Sequence, residues 1–251
     1  MSSYWLNSTK NFKNFEKIDA NYECDVCIIG AGITGLTCGY YLSKLGLKVI
    51  IVEKDNIGQK ASGNTTGKIT YQHNLIYNYL INTYGHDYAK AYLQSNKKAI
   101  SNIKNIIDSE NIDCDFEYQS NYVYTTNQDE LTKINAEANA LYSLGEDCEF
   151  VTETPLPFKV VGGILNKNQA QFHPMKYMLG LANSIQKNNS LIFCNSTATD
   201  FNKNEDYYIT FVNGYKIKSK NIIVATHYPF KKLSRFLFYK NVSIYILCNS
   251  V

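Results

Sequence analysis

CDVCIIGAGITGL, residues 24–36, sets the architecture of this chain. Its first half is a short apolar run ending in glycine, as a strand buried on both faces does. Gly30, Gly32 and Gly35 then spell G-x-G-x-x-G. The first glycine permits a tight turn out of the strand, the second lets a pyrophosphate approach the main chain, and the third lets the next helix pack closely. Apolar residues at Ile33, Leu36, Tyr41, Leu42 and Leu45, closed by Gly46, predict that helix. Its first turn, at Ile33 and Thr34, offers N–H groups and a positive dipole end to phosphates. Residues 47–53 (LKVIIVE) form a second buried strand, and Glu53, 23 residues after Gly30, stands where a carboxylate accepts hydrogen bonds from a ribose. Strand, turn, helix, strand and acid together predict dinucleotide binding.

Beyond Glu53 the chain enters a Gly-, Ser- and Thr-rich loop, 54–68, long enough to follow an extended cofactor. A simple nicotinamide domain has a short connection there. Helices are expected over 73–84 and 86–111, the second with Tyr88, Tyr92, Ala99, Ile103 and Ile106 as its core face. Residues 113–126 offer two strand-like segments, and Asn127 with Glu130 resembles a capping pair for a helix through Leu131, Ile134, Ala138 and Leu141. A strand over 160–165 precedes a helix that opens at Pro174 and buries Met175, Met178, Leu179, Ala182 and Ile185. Strands at 191–194, 196–202 and 207–212 lead to Asn213-Gly214, a strong hairpin signal, with Lys216, Lys218 and Lys220 on a solvated face of the return strand. Residues 221–226 (NIIVAT) read as a last, separate buried strand.

Composition narrows the classes. With 45% hydrophobic and 19% charged residues the chain is an ordinary globular protein, and a net charge of +3 is too mild and dispersed for a nucleic-acid partner. No stretch reaches 18 uninterrupted apolar residues, so no membrane span is expected. The polar leader, 1–22, lacks the features of a secretory signal, and seven scattered cysteines suit a reducing cytoplasm. Cys24 and Cys27 sit three apart in a strand, which sends their side chains to opposite faces, so both read as small core residues. The four histidines show no ligand spacing, and no metal site is expected.

GAGITGL with Glu53-Lys54, the loop ASGNTTGKIT (61–70), NQAQFHP (168–174) before a helix, and IIVATHYPF (222–230) together resemble the FAD-dependent oxidoreductases of the D-amino-acid oxidase superfamily. Within it they are most similar to bacterial members with a C-terminal Rieske domain. The resemblance runs over about 4–230. It implies an α/β, Rossmann-like FAD-binding fold of the glutathione-reductase-2 type, over 23–72 and 190–230, with an inserted α+β substrate lobe over 73–189. It also implies FAD with its pyrophosphate over Gly30, Gly32, Ile33, Thr34 and Gly35, and its adenosine ribose on Glu53 beside Lys54. Ser62, Thr65, Thr66, Gly67 and Lys68 would lie near the pyrophosphate, ribityl chain or flavin, and an adenine-side main-chain contact maps near Thr197 and Ala198. Ala225 and Thr226 take the family's A-T-G position, where His227 replaces the glycine.

The activity so implied is oxidation of an amine or amino acid C–N bond by hydride transfer to flavin, with electrons passing to oxygen or an electron-acceptor partner. The alternatives are a catalytically incomplete FAD-binding fragment and an NAD(P)-dependent dehydrogenase. No catalytic residue emerges from the sequence. Family members are longer, Gly214 is the last glycine, and the tail 231–251 has no caps or turns, so the chain reads as C-terminally truncated.

Overall fold

A computed structural model describes residues 3–12 and 15–227, and the atypical tail lies outside them. In chain order the elements are α1 (Tyr4–Ser8), β1 (Tyr22–Ile29), α2 (Ile33–Lys44), β2 (Val49–Val52), β3 (Lys68–Ile69), α3 (Tyr77–Tyr84), α4 (His86–Glu110), β4 (Glu117–Thr125), α5 (Leu131–Ser143), β5 (Cys148–Val151), β6 (Gly162–Gln171), α6 (Pro174–Lys187), β7 (Leu191–Phe193), β8 (Ala198–Lys203), β9 (Tyr208–Val212) and β10 (Tyr215–Val224). They fall into two units, one of residues 1–66, 112–114 and 174–251, the other of 67–111 and 115–173.

The first unit is built on a six-stranded sheet ordered β7-β2-β1-β10-β9-β8. Its first four strands are parallel, β9 runs antiparallel to β10, and β8 runs antiparallel to β9. β2 is Val-Ile-Ile-Val with every residue buried, as a central parallel strand requires. Asn213 (φ 49°) and Gly214 (φ 90°) turn the β9–β10 hairpin in the left-handed region that this dipeptide tolerates. The return strand and the expected last strand are one: β10 runs unbroken over ten residues, first as a hairpin arm and then as the parallel neighbour of β1. Its lysines face outward, Lys218 meeting Glu23 at 3.0 Å and Lys220 meeting Asp25 at 2.8 Å.

One face of the sheet carries an apolar cluster with Cys27, Ile29, Ile50, Val52, Ile217 and Ile222, each contributing on the order of 1.5–3 kcal/mol for an aliphatic side chain. Cys24 belongs to the same cluster despite its offset of three from Cys27. Burial pushes the Cys27 thiol up to about 12 and raises that of Cys24 too, so both are inert core groups. Helix α6, grouped with the inserted lobe by the sequence reading, clusters with the first unit, because its buried stripe packs against α2. A Cβ on Gly39 of α2 would lie 2.7 Å from Ile51 Cδ1 and 3.2 Å from Ile185 Cδ1 of α6.

The described end of the leader is pinned to the sheet. Ile18 is buried in the apolar cluster and its N–H donates to Ser196 Oγ at 3.0 Å, while Cys194 N donates to the Glu16 carbonyl at 3.0 Å.

In the second unit β6 is the central strand, with β4 along one edge and β3 and β5 on the other. It runs to Gln171, beyond the expected 160–165, and residues 117–125 form one strand with a register shift rather than two segments. The buried stripe of α4 is Ala89, Leu93, Ile100, Ile106 and Ile107. Tyr88 and Ala99 of the expected stripe face solvent, whereas Tyr92 and Ile103 are half-buried, Tyr92 against Tyr77.

Candidate functional site

Three neighbouring parallel strands end level with one another: Ile29 of β1 pairs with Val52 of β2 on one side and Val224 of β10 on the other. The next residues are therefore Gly30, Glu53 and Ala225. Such carboxyl ends, where connections leave in different directions, are where open α/β sheets bind ligands. Gly30 N donates to the Val52 carbonyl and Ala225 N to the Ile29 carbonyl, both at 2.8 Å.

The glycines are dictated by contact. Gly30 has φ +109°, and a Cβ there would stand 2.7 Å from the Ala225 carbonyl oxygen. A Cβ on Gly35 would come within 2.0 Å of the Gly30 carbonyl oxygen, which main chain cannot vacate cheaply. Gly32 is the residue before the first turn of α2, and its Cβ would meet only Ser62 Oγ, at 3.0 Å. The turn thus needs Gly30 and Gly35 for its own shape, whereas Gly32 leaves open the side toward Ser62.

Glu53 holds this turn. Its Oε2 accepts from Ala31 N at 2.9 Å and its Oε1 from Asp55 N at 3.1 Å, so the carboxylate fastens β2 to the glycine turn while keeping lone pairs for a ligand hydroxyl. Ser62 Oγ accepts from Ile33 N at 3.1 Å, satisfying one of the donors that the start of α2 leaves exposed. The loop bearing Ser62 is shaped by Gly58 (φ +68°), whose N–H donates to the Ala31 carbonyl at 3.2 Å. A Cβ there would strike Met175 Sδ at 2.5 Å. Thr34 and Thr65 are half-buried, and Lys54 and Thr66 are exposed.

At the end of β10, Thr226 carries a buried hydroxyl oxygen with no hydrogen-bond partner among the described residues. Its main-chain N lies 3.5 Å from where a Gly30 Cβ would be, so Thr226 follows β10 beside the glycine turn. A buried hydroxyl without a partner is unfavourable by about 1–3 kcal/mol, and a ligand group that bonded it would recover that energy.

The remaining expected residues lie elsewhere. Ser196 N donates to the Glu53 carbonyl at 2.8 Å, which brings the 196–198 segment to the end of β2. Thr197 is already engaged: its N–H donates to Asn213 Oδ1 at 3.0 Å and its carbonyl accepts from Asn213 N at 3.3 Å. Ala198 is buried and pairs with Val212. Gly67 and Lys68 belong to the second unit, where the Gly67 carbonyl accepts from Phe172 N at 3.0 Å and Lys68 pairs with Gln171. Sequence reading missed the leader's part: Ser3 and Trp5 donate to main-chain carbonyls of the loop after Ser62. The one available signal was the chain's single tryptophan in an otherwise polar leader.

Among the described residues no group of three or more His, Cys, Asp and Glu is arranged to hold a metal ion, and no helix is long and apolar enough to cross a membrane. Comparison with known proteins agrees with the turn. The family described as "FAD dependent oxidoreductase" (DAO) matches residues 25–241. The putative Rieske 2Fe-2S iron-sulfur protein YhfW of Bacillus subtilis is 36% identical over 228 residues, covering 91% of this chain and 45% of its own length. Gamma-glutamylputrescine oxidoreductase of Escherichia coli is 24% identical over 230 residues, 89% of this chain and 54% of its own. Glycine oxidase of Geobacillus kaustophilus shares the fold with a TM-score of 0.69 at 18% identity, over 82% of this chain and 56% of that one. The chain spans about half the length of the curated relatives it matches. A glycine turn closed by a strand-end carboxylate, in a chain that the family covers almost from end to end, makes this protein a member of the DAO family of FAD-dependent oxidoreductases.

Proposed function

We propose that the first unit holds FAD across the carboxyl ends of β1, β2 and β10, and that the protein oxidises a C–N bond of an amine or amino acid. The observation that carries the reading is the glycine turn at the level ends of β1, β2 and β10, where Gly32 leaves room for a ligand and Thr226, whose buried hydroxyl has no partner among the described residues, stands next to Gly30. In this reading Gly30, Gly32, Ile33, Thr34 and Gly35 receive the pyrophosphate, through main-chain N–H groups and the positive end of α2. Glu53 accepts from the adenosine ribose with its remaining lone pairs, next to Lys54. Ser62 shifts its hydroxyl from Ile33 N toward the phosphates, with Thr65 and Thr66 continuing along the cofactor, and Ala225 and Thr226 meet it from β10. Thr197 and Ala198 border the adenine, Thr197 with its N–H already bound to Asn213.

Bound FAD supplies a two-electron acceptor for the hydride leaving the carbon that bears nitrogen; the protein contributes orientation and electrostatics. The amine class is supported by the names of two relatives, a gamma-glutamylputrescine oxidoreductase and, at the level of fold, a glycine oxidase. That the most similar of the three is named a Rieske 2Fe-2S protein supports an iron–sulfur electron acceptor over oxygen alone.

The test begins with the purified protein, supplemented with FAD and freed of excess. Flavin absorbance at about 450 nm, and FAD in the heat-released supernatant, are expected. Recovery of NAD(P) alone, with no flavin retained, sinks the cofactor assignment. Anaerobic mixing of the holoprotein with amines, amino acids and hydroxy acids then addresses the substrate: bleaching by hydroxy acids alone excludes C–N oxidation.

A further inference from the structure

The leader helix α1 and the residue before it touch the loop that carries Ser62 at three points. Ser3 Oγ donates to the Gly63 carbonyl at 2.5 Å, and the half-buried Trp5 indole Nε1–H donates to the Thr65 carbonyl at 2.7 Å. Between them Leu6 lies over Gly63, where a Cβ would approach Leu6 Cδ2 to 3.0 Å. That glycine is itself wedged, since the same Cβ would stand 2.1 Å from the Gly58 carbonyl oxygen. Loop residues 62–65 are thus in contact both with Gly58 and with α1, with Ser62 Oγ on the first N–H of α2. Thr9 Oγ1 bonds the Trp5 carbonyl at 2.8 Å and closes the helix on itself. A surface loop rich in Gly, Ser and Thr has little intrinsic rigidity, so its geometry must come from such contacts.

We propose that α1 is a strap that presets the cofactor loop, making Ser3 and Trp5 positioning residues for FAD although neither belongs to the site. The inference rests on the FAD reading above. The physical argument is pre-organisation: a loop already ordered loses less entropy when the ligand arrives, so affinity rises without any new ligand contact. Each hydrogen bond to the loop is expected to be worth about three- to tenfold in FAD affinity.

The experiment uses the full chain and three variants, Trp5→Phe, Ser3→Ala and Ser3→Thr, with two readouts. One is the FAD dissociation constant by ultrafiltration. The other needs no cofactor: the rate of tryptic cleavage after Lys60, which lies exposed in the same loop, compared with cleavage after Lys98 on α4 of the second unit. Trp5→Phe and Ser3→Ala are expected to weaken FAD about three- to tenfold and to speed cleavage after Lys60 several-fold, with Lys98 unchanged and Ser3→Thr restoring both values. Unchanged affinity overturns the proposal even where cleavage accelerates, because the helix then anchors the loop without serving the cofactor. Equal acceleration at Lys60 and Lys98 overturns it too, as the sign of general destabilisation. If the unaltered chain takes up no FAD, the FAD reading fails, and cleavage after Lys60 alone decides whether α1 holds the loop.

Discussion

The first unit arranges its site with main chain and missing side chains, whereas the second arranges its interior with buried polar side chains. Around the glycine turn the decisive groups are N–H donors, carbonyls and the space left by Gly30, Gly32 and Gly35, with Glu53 closing the turn from the adjacent strand. In the second unit Glu137 of α5 is fully buried and accepts from Gln72 Nε2 at 2.7 Å, Tyr77 N at 2.9 Å and Asn78 N at 2.8 Å. It thereby caps α3 from another helix. Gln169 takes Thr70 Oγ1 and Tyr71 N, both at 2.9 Å, and Glu146 takes the Tyr71 hydroxyl at 3.0 Å and Lys97 Nζ at 2.7 Å. Burial, and then the charge of Glu146, raise the Tyr71 hydroxyl well above the ordinary phenol value, so it stays a donor at any physiological pH. One design tolerates change wherever no Cβ collides; the other fails when an acceptor is removed.

The comparison is broken most severely at Gly35. A valine there meets the Gly30 carbonyl, so Gly35→Val should cost about 4 kcal/mol or more and leave no soluble folded protein, or a much lower urea midpoint. A near-native midpoint would mean that the turn is not packed as described. Glu137→Ala removes the acceptor of three donors, two of these bonds being buried, and should cost about 3 kcal/mol, read as early unfolding in urea and faster proteolysis between 67 and 80. Loss below about 1 kcal/mol would show that water replaces the carboxylate, and the contrast between the units would lose its basis.

Gly32 and Glu53 sharpen the comparison within the first unit. Gly32→Val has only the Ser62 side chain to displace, so the fold should survive while FAD affinity falls about 100-fold, by steric exclusion of the pyrophosphate. Glu53→Gln should lower affinity less, about tenfold, since an amide oxygen still accepts one ribose bond; it should also cost about 1 kcal/mol of stability, because Ala31 N or Asp55 N then faces an NH₂ group. Equal affinity in the valine variant would remove the turn from the cofactor site.

The smallest effect is expected at the sheet surface. Asp25 is held below its ordinary carboxylate value by its hydrogen bond with Lys220 and by the Lys48 N–H. A group with a lowered folded value adds stability above the ordinary carboxylate range and loses it as pH falls through the folded value. Asp25→Asn should therefore lower Tm at neutral pH by no more than about 2 °C, for a pair this exposed, and the gap should close in acid. A gap that widened in acid would show that a different group governs that limb.

The legibility of the two units follows the reach of their interactions. The core of a G-x-G-x-x-G turn after an apolar strand is local: it depends on φ at Gly30 and on the close approach of Gly35 to the Gly30 carbonyl, so residues 24–36 already specify strand, turn and helix start, whereas the approach of Ala225 to Gly30 and of Ser62 to Gly32 comes from distant chain. Glu53 was readable because a parallel neighbour strand in a β-α-β unit returns to a fixed place. Asn213-Gly214 and Pro174 acted in the same short-range way. The family resemblance added the cofactor, which spacing alone leaves as any dinucleotide.

What tertiary structure alone decided spans long stretches of chain. Nothing near α3 marks Glu137 as its cap, since acceptor and donors are separated by about 60 residues, and the cap exists only once α5 packs beside α3. The helix expected at His73 begins at Tyr77 for that reason: residues 70–72 are committed to Gln169 and Glu137. The inward face of α4 was set by which side met its neighbours, which left Tyr88 exposed and Tyr92 half-buried. The leader gained its structure from the loop it holds, because a five-residue helix has too few internal hydrogen bonds to stand alone. Sequence determined the turn because its constraint is steric and local; tertiary structure determined the caps, faces and strap because their partners meet only after the chain has folded back on itself.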